Sequence, residues 1–563
     1  MKDGRYVIGV DFGSDSARAV LVDAFEGETL DEASMAYPRW EQRQYCCEET
    51  AQYRQHPKDY LEVLEVILRE VLKNLSAKEL SKVAGIAVDT TGSTVCPVDK
   101  QGVPLSMMEK FKDEPDAMFH LWKDHTAVRE AAEMDRGLSS GETDYTQFQG
   151  KYSAEWFWAK ILHTSRKNRR IKESAYTWIE HCDWIAGVLA GRTTPGELIR
   201  CSCGAGHKAL WNSAFDGLPD RECLMKIDPY LGNIYDTYSQ IPQKAGTMIG
   251  TLCEEWRRKT GLSEKVCVSV GSFDAHAGAV GVGISEHMLV KVVGTSTVDM
   301  LIVPDKEAIG KKLNDFCGMA QDSIVPGYWG CESGQSAFGD TYAWYRKILM
   351  WPLEHMNIPK TILPQSIKED LKDYLERNLI CSLEEAAEAD NDVGITALDW
   401  LNGRRYPYLN ETVKSAVAGL TLGTEAPDIY QAFVRATIFG SKQIYDSLID
   451  SGILIDRVVC VGGAASKSRY IMQMMADVLG IPIMVSAEKQ SCARGACIFA
   501  AVGAGLFTSV QEAQQAMCAP YKPDFFPRAE FHDWYMKEYQ KYIELGEYME
   551  KGRERRTYVT RKN

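Results

Sequence analysis

Asp11-Phe-Gly-Ser-Asp-Ser16 and Gly294-Thr-Ser-Thr297 decide how this chain of 563 residues folds. Val7 to Val10 run into Gly13, Ser14 and Ser16, and Ala17 to Val22 form a second apolar stretch. The later copy repeats the pattern: Leu289 to Val293, then Gly294, Thr295, Ser296 and Thr297, then Met300 to Val303. Strand, Gly-Ser/Thr turn and strand make a hairpin. Glycine permits the tight turn and the close backbone approach, and exposed amides and hydroxyls at such a turn donate to phosphate oxygens. One hairpin of this kind is ordinary. Two, in opposite halves, predict related domains closing on one nucleotide, with Gly13, Ser14, Ser16, Gly294, Thr295 and Ser296 around its phosphates.

The length exceeds what one hydrophobic core fills, so at least two large domains are expected. Aspartate and glutamate outnumber lysine and arginine 78 to 64, for a net charge of −14. That balance argues against a general nucleic-acid binder, whose footprint is basic. Met1, Lys2, Asp3 and Arg5 lead straight into a strand-like segment. There is no signal-peptide core and no apolar run long enough for a bilayer, so a soluble, cytoplasmic protein without membrane partners is expected. The 16 cysteines include no CxxC pair and read as reduced, mostly buried small hydrophobes rather than metal ligands.

Strand-like runs alternate with helical periods over most of the chain, the pattern of an α/β architecture. Tyr60 to Leu75 reads as a helix with one buried face, leading into a strand from Val83 to Val88 that ends at Asp89. The tryptophans between 119 and 189 (Trp122, Trp156, Trp158, Trp178 and Trp184) read as core, except Trp122. Ser285-Glu-His287 is a polar break, giving domains at 1–284 and 285–515, with a long insert from Pro304 to about Arg405. Helices are expected at Gln365 to Leu375 and Ala432 to Leu448. In a helical tail, 516–563, Phe531, Tyr535, Tyr539 and Tyr542 share one face, which packs on the body or on a second subunit of a homodimer.

No GxxxxGK[ST] is present, so a nucleotide would not be held by a P-loop. Instead Val458-Val-Cys-Val-Gly-Gly463 delivers glycines to the start of a helix, Ser468 to Leu479, where backbone can meet a flat adenosine closely. Gly495-Ala-Cys-Ile498 opens a small-residue helix. Together these strings resemble the FGGY family of carbohydrate kinases, within the actin-like ATPase superfamily. The resemblance spans nearly the whole chain. It is strongest to members acting on L-ribulose, through Trp122-Lys-Asp-His-Thr126, Glu155-Trp-Phe-Trp-Ala-Lys160, Gly206-His-Lys208, Gly334-Gln-Ser-Ala-Phe-Gly-Asp340 and the catalytic-like Gly271-Ser-Phe-Asp-Ala-His276.

The resemblance implies two actin-like, ribonuclease H-like ATPase domains with the active site in the cleft between them. It implies ATP and Mg²⁺ as cofactors, and Asp274 as the base that takes a proton from a sugar hydroxyl as it attacks the γ-phosphate. Asp11, with Asp274, would hold Mg²⁺, largely through water. Gly462, Gly463, Ala464 and Lys467 would meet the adenosine. Ser93, Thr94, Trp122, Asp124, Lys208, Asp274 and Glu332 are the candidates for the sugar. After the strand ending at Asp89, glycerol kinases carry an arginine-glutamate pair where this chain has Gly92-Ser93-Thr94, which argues against glycerol. Phe433 and Arg435 depart from the family's second signature. The expected reaction is phosphorylation of L-ribulose at its 5-hydroxyl in arabinose catabolism. Kinases for xylulose, D-ribulose or ribitol, and an actin-like nucleotide-binding regulator without sugar turnover, are the alternatives.

Overall fold

The computed structural model describes residues 5–238, 241–304, 318–388, 394–410, 412–521 and 523–560, with side chains to 551. Parts of the expected insert (305–317 and 389–393) and the last residues of the expected tail lie outside the described residues.

Each hairpin starts a sheet. In the first half β1 (Tyr6–Phe12), β2 (Ser16–Asp23) and β3 (Thr29–Ala36) run antiparallel, and β4 (Val83–Thr90) joins β1 in parallel. With β5 (Met248–Thr251) and β6 (Cys267–Ser269) the order is β5-β6-β4-β1-β2-β3. The second half repeats this. β7 (Met288–Val293), β8 (Thr297–Pro304) and β10 (Tyr328–Ser333) are antiparallel, and β9 (Gly318–Gln321) borders β10. β11 (Arg457–Val461) and β12 (Ile483–Val485) follow in parallel, giving β9-β10-β8-β7-β11-β12. Three antiparallel strands and two parallel ones on the far side of the first strand therefore occur twice. β4 and β11 are near-continuously apolar because they lie inside their sheets, covered on both faces.

The helices that matter for the site are α1 (Pro57–Leu72), α2 (Ser202–Ala209), α3 (Asp274–Gly281), α4 (Gly339–His355), α5 (Ala426–Asp450), α6 (Ser491–Gly503) and α7 (Ala529–Thr560). α1 starts at a Pro in its first turn, with the His56 side chain accepting from Lys58 N, and buries Tyr60, Val63, Leu64, Ile67, Leu68 and Val71. α3 and α6 cross between the sheets at backbone contact. A Cβ on Gly495 would lie 1.8 Å from the Ala277 carbonyl oxygen, and one on Gly281 1.9 Å from that of Ser491. Gly9 in β1 admits α6 in the same way, its Cβ position 1.9 Å from the Ala493 carbonyl. The small residues of 495–498 thus serve helix crossing. Ala277, Val280, Ala493, Ala496, Cys497 and Ala500 share one core with Val7, Val20, Val290 and Val459 of the two sheets. Although α6 lies in the later half of the sequence, it packs on the first sheet, so the halves are joined through this pair.

The remaining expectations can be placed on this frame. Trp158, Trp178 and Trp184 are buried in core clusters. The expected helix at 365–375 extends over Gln365–Glu388. Phe433 is core, packed against Trp344 and Tyr345 of α4, and the Arg435 guanidinium lies over the Trp534 ring of the tail helix and donates to the Ile395 carbonyl at 2.8 Å. Tyr535 and Tyr542 of α7 are buried on the second half and Phe531 and Tyr539 pack beside them, with Tyr542 Oη donating to Asp399 at 2.8 Å. The aromatic stripe is thereby packed on its own chain. The described cysteines form no disulfide. No helix among the described residues is long and apolar enough to cross a membrane.

Candidate active site

The two turns are built alike. Gly13 N donates to the Ser16 carbonyl at 3.0 Å and Gly294 N to the Ser296 carbonyl at 3.0 Å, closing Gly13 to Asp15 and Gly294 to Ser296 as tight loops. The second is braced by the start of α4. Phe338 N and Asp340 N donate to the Thr295 carbonyl at 2.8 and 3.0 Å, and Gly339 N to the Gly294 carbonyl at 3.0 Å. A side chain on Gly339 would strike that same carbonyl, 2.5 Å from its Cβ position. The string 334–340 is thus the support of the second hairpin. The first is tied to Trp122, whose Nε1 donates to Ser14 Oγ at 2.9 Å.

Asp11 closes β1, and its parallel register partner on β4 is Asp89. Asp89 is fully buried and both its oxygens, like Asp11 Oδ1, lack a hydrogen-bond donor among the described residues. The other Asp11 oxygen meets Arg18 at 3.2 Å. Burial and the neighbouring Asp11 and Asp274 charges push the Asp89 carboxyl well up, and burial raises Asp11 against the pull of Arg18. Unsatisfied buried carboxylate oxygens are costly, and a hard divalent cation is the group that relieves them. Cys492 completes this cluster, but burial raises its thiol, which stays protonated and is a poor partner for such an ion. Asp89 was not among the sequence candidates. Its signal was present in two adjacent parallel strands that both run into an aspartate.

Asp274 is the first residue of α3, and Ala275 N donates to its Oδ1 at 2.7 Å. Burial, followed by the Asp11 charge, pushes its carboxyl up to about 7. Beyond it Lys208 of α2 and Glu332 of β10 meet across the two halves at 3.5 Å. Burial opposes ionisation of Glu332, yet the Lys208 ammonium and a contact with His276 at 3.3 Å hold its carboxyl well below the usual range. The Lys208 ammonium lies 5.7 Å from the Trp156 ring centre and 5.8 Å from that of Phe273. A cavity of about 810 Å³ opens over this group, lined by Trp122, Trp156, Lys208, Thr295, Ser296 and Glu332 among others. Trp156, read as core, is buried but also walls this cavity. Arg405, also in its wall, reaches from the second half to Glu155 at 3.5 Å, a contact between residues 250 apart in sequence that sequence reading did not supply.

Ser93, Thr94, Asp124 and Asp274 do not line this cavity, and the first three are held by internal partners. Ser93 Oγ and Thr94 N both donate to Glu180, the latter at 2.9 Å, and Thr94 Oγ1 pairs with Thr91 Oγ1 at 2.9 Å. Lys160 caps the Ser93, His120 and Leu121 carbonyls at 2.7, 3.3 and 3.0 Å. Burial pushes the Glu180 carboxyl up and the Lys160 ammonium down, and the pair pins the 91–94 turn from beneath. Asp124 is fully buried, paired with Arg54, and accepts from Tyr53 N at 2.7 Å and Thr126 Oγ1 at 2.6 Å. Its carboxylate is engaged by Arg54, Tyr53 and Thr126. Gly462 and Gly463 follow β11. Gly462 has a left-handed φ of +106°, and a Cβ there would lie 2.7 Å from the Val293 carbonyl, whereas a Cβ on Gly463 would meet nothing. Ala464 is half-buried and Lys467 exposed in the helix Gly463–Lys467.

The model of the FGGY family of carbohydrate kinases, C-terminal domain, matches residues 289–504. A ribulokinase of Vibrio parahaemolyticus is 40% identical over 97% of this chain and 96% of its own length. The chain belongs to the FGGY family of carbohydrate kinases. A ribulokinase of Geobacillus thermodenitrificans is 34% identical over 97% and 95% of the two chains. Among solved structures, the xylulose kinase from Rhodospirillum rubrum superposes with a TM-score of 0.74 at 17% identity, over 96% of this chain and 98% of that one. The Plasmodium falciparum glycerol kinase with ADP gives 0.73 at 15%, over 96% and 97%. Those two likenesses establish the shared FGGY kinase fold, with its repeated sheet and the cleft between the halves.

Proposed function

We propose that this FGGY kinase transfers the γ-phosphate of ATP to the 5-hydroxyl of L-ribulose, in the breakdown of L-arabinose in the cytoplasm. The observation that carries the reading is the setting of Asp274: a carboxyl raised to about 7, beside Asp11 on one side and facing the Lys208–Glu332 pair on the other. A base poised near neutral pH is what proton removal from a sugar hydroxyl requires. The similarity to the two ribulokinases supports ribulose as the ketose.

In this reading the sugar lies in the cavity against Trp122 and Trp156, with Lys208 donating to its oxygens and Glu332 accepting from its hydroxyls. Asp274 accepts the proton of the attacking hydroxyl. The amides and hydroxyls of Gly13, Ser14 and Ser16 and of Gly294, Thr295 and Ser296 neutralise the phosphates, and the backbone at Gly462, Gly463 and Ala464 meets the adenosine, with Lys467 at its rim. Asp11 and Asp89 would hold Mg²⁺, which when bound screens the negative charge of the transferred phosphoryl group. Ser93, Thr94 and Asp124 act through the elements they pin. Because the ligands come from both halves, closure of the cleft completes the site and keeps water from the phosphate.

The test is ADP release, followed through a coupled assay, with L-ribulose, D-ribulose, xylulose, ribitol and glycerol compared at equal concentration. The highest kcat/KM is expected with L-ribulose. A preference for another acceptor would overturn the choice of sugar, and ADP release indifferent to every acceptor would overturn the kinase reading in favour of an ATPase regulator.

A further inference from the structure

Trp122 joins the cavity to the first hairpin. Its ring lines the cavity with Lys208 and Glu332, and its Nε1 donates to Ser14 Oγ at 2.9 Å. The two residues are 108 apart in the chain, and both are half-buried. A wall against a sugar needs only an apolar ring face, which phenylalanine would give as well. What tryptophan adds is a hydrogen-bond donor on the ring edge.

Both ends of the contact are mounted independently of it. Leu121 N donates to the Tyr53 carbonyl at 3.1 Å, and the Leu121 carbonyl accepts from Lys160 Nζ at 3.0 Å and from Asp124 N at 2.9 Å, so the chain is fixed on either side of Trp122. In the hairpin, the Ser14 carbonyl accepts from Gln55 Nε2 at 2.6 Å, and Gln55 Oε1 accepts in turn from Tyr60 Oη. Gln55 and Tyr60 are both buried. The next residue, Asp15, accepts from Trp40 Nε1 at 2.6 Å through its side chain and from Tyr37 N at 3.0 Å through its carbonyl. The hairpin backbone is therefore held without help from Trp122, and the indole governs the Ser14 hydroxyl alone.

Donor and acceptor at this contact follow from the groups themselves. An indole nitrogen donates and does not accept, so Ser14 Oγ gives it a lone pair and turns its own hydrogen elsewhere. No other described residue bonds to that oxygen. A hydroxyl that already accepts is also the stronger donor. We infer that Trp122 is a positioning residue for ATP: its Nε1–H orients the Ser14 hydroxyl so that the O–H donates to a phosphate oxygen, while the same ring walls the sugar cavity. The inference rests on the reading of the first hairpin as a phosphate site and of the cavity as the sugar site.

The experiment compares Trp122→Phe, Trp122→Ala, Ser14→Ala and the Trp122→Phe/Ser14→Ala double variant in the full chain, measuring KM for ATP, KM for L-ribulose, kcat and the unfolding temperature. Phenylalanine keeps the ring face and removes the N–H. Trp122→Phe and Ser14→Ala are each expected to raise KM for ATP about 3- to 10-fold, the loss of one hydrogen bond, with KM for L-ribulose and the unfolding temperature held. The double variant should be no worse than Ser14→Ala, because the indole acts only through the hydroxyl. A KM for ATP unmoved by Trp122→Phe, or fold-changes that multiply in the double variant, would overturn the inference. The readings beneath it fail differently: Trp122→Ala with an unchanged ketose KM would overturn the sugar wall, and Ser14→Ala with an unchanged KM for ATP would overturn the hairpin as a phosphate site.

Discussion

Replacing Asp274 by asparagine should do two opposite things. Activity falls by about 10²- to 10⁴-fold, because the amide cannot accept the proton of the attacking hydroxyl. Stability rises. The carboxyl is moved from an ordinary 3.8 to about 7 by burial and by Asp11, so the fold holds the proton more tightly than the unfolded chain does, and ionisation opposes folding. The penalty is absent below pH 4, grows between pH 4 and 7, and is complete above 7, where its ceiling is about 4 kcal/mol. The asparagine variant escapes the penalty, so its unfolding temperature in EDTA should exceed that of the parent at pH 8, by a margin that shrinks to about half at pH 5.5 as the parent takes up its proton. An unfolding temperature unchanged at pH 8, or a difference that does not depend on pH, would refute the electrostatic account of Asp274. Turnover near that of the parent would refute its role as base. The same titration gives the parent enzyme a kcat/KM that falls as pH drops through about 7.

Other parts of the site give separable outcomes. Lys208→Met should lower kcat/KM for the ketose by about ten- to a hundredfold, the cost of a lost charge-assisted hydrogen bond, while basal ATP hydrolysis holds; an equal fall in both would move the lysine to the phosphates. Asp11→Ala should raise the Mg²⁺ concentration needed for half-maximal rate, and Asp89→Ala should do the same, as titration of activity against Mg²⁺ will show; if only one matters, the two aspartates do not share the ion. Gly463→Leu should weaken ATP binding in calorimetry with the unfolding temperature kept, since its Cβ position meets nothing, whereas Gly462→Ala should lower the unfolding temperature because of the Val293 carbonyl and the +106° φ. Gly495→Ala forces a methyl onto the Ala277 carbonyl and should destabilise the chain by about 1 to 3 kcal/mol, as overpacking does.

What sequence reading captured was local. Gly13 and Gly294 sit between apolar runs whose alternation is legible without the fold, and both hairpins form as the turn chemistry requires. Asp274 could be named because a string of neighbours resembled a family. Asp89, Arg405 and the Trp122–Ser14 contact could not be named this way, since each becomes informative only beside a residue far off in the chain. Asp89 shows the difference most simply. Its strand was foreseen and its position at the strand end was noted, but only the parallel register with β1 puts it against Asp11.

Other assignments turn on the same distinction. Ser93, Thr94 and Asp124 are polar residues in turns near the right strands, which is what a sugar ligand looks like in a sequence. A buried polar group must be paired wherever it lies, so polarity in such a turn marks either a ligand contact or an internal tether. Glu180, Lys160 and Arg54 supply internal partners here, and none of them adjoins its partner in sequence. Gly495-Ala-Cys-Ile498 was read as small residues opening a helix after the adenosine motif. They suit a helix crossing, and the backbone contacts of α6 with α3 and β1 account for them. That crossing matters for function, because α3 carries Asp274 at its first turn while α6 follows the nucleotide motif by one strand. Any shift of the second half on the first must pass through helices in backbone contact, which leaves little room for bending within them.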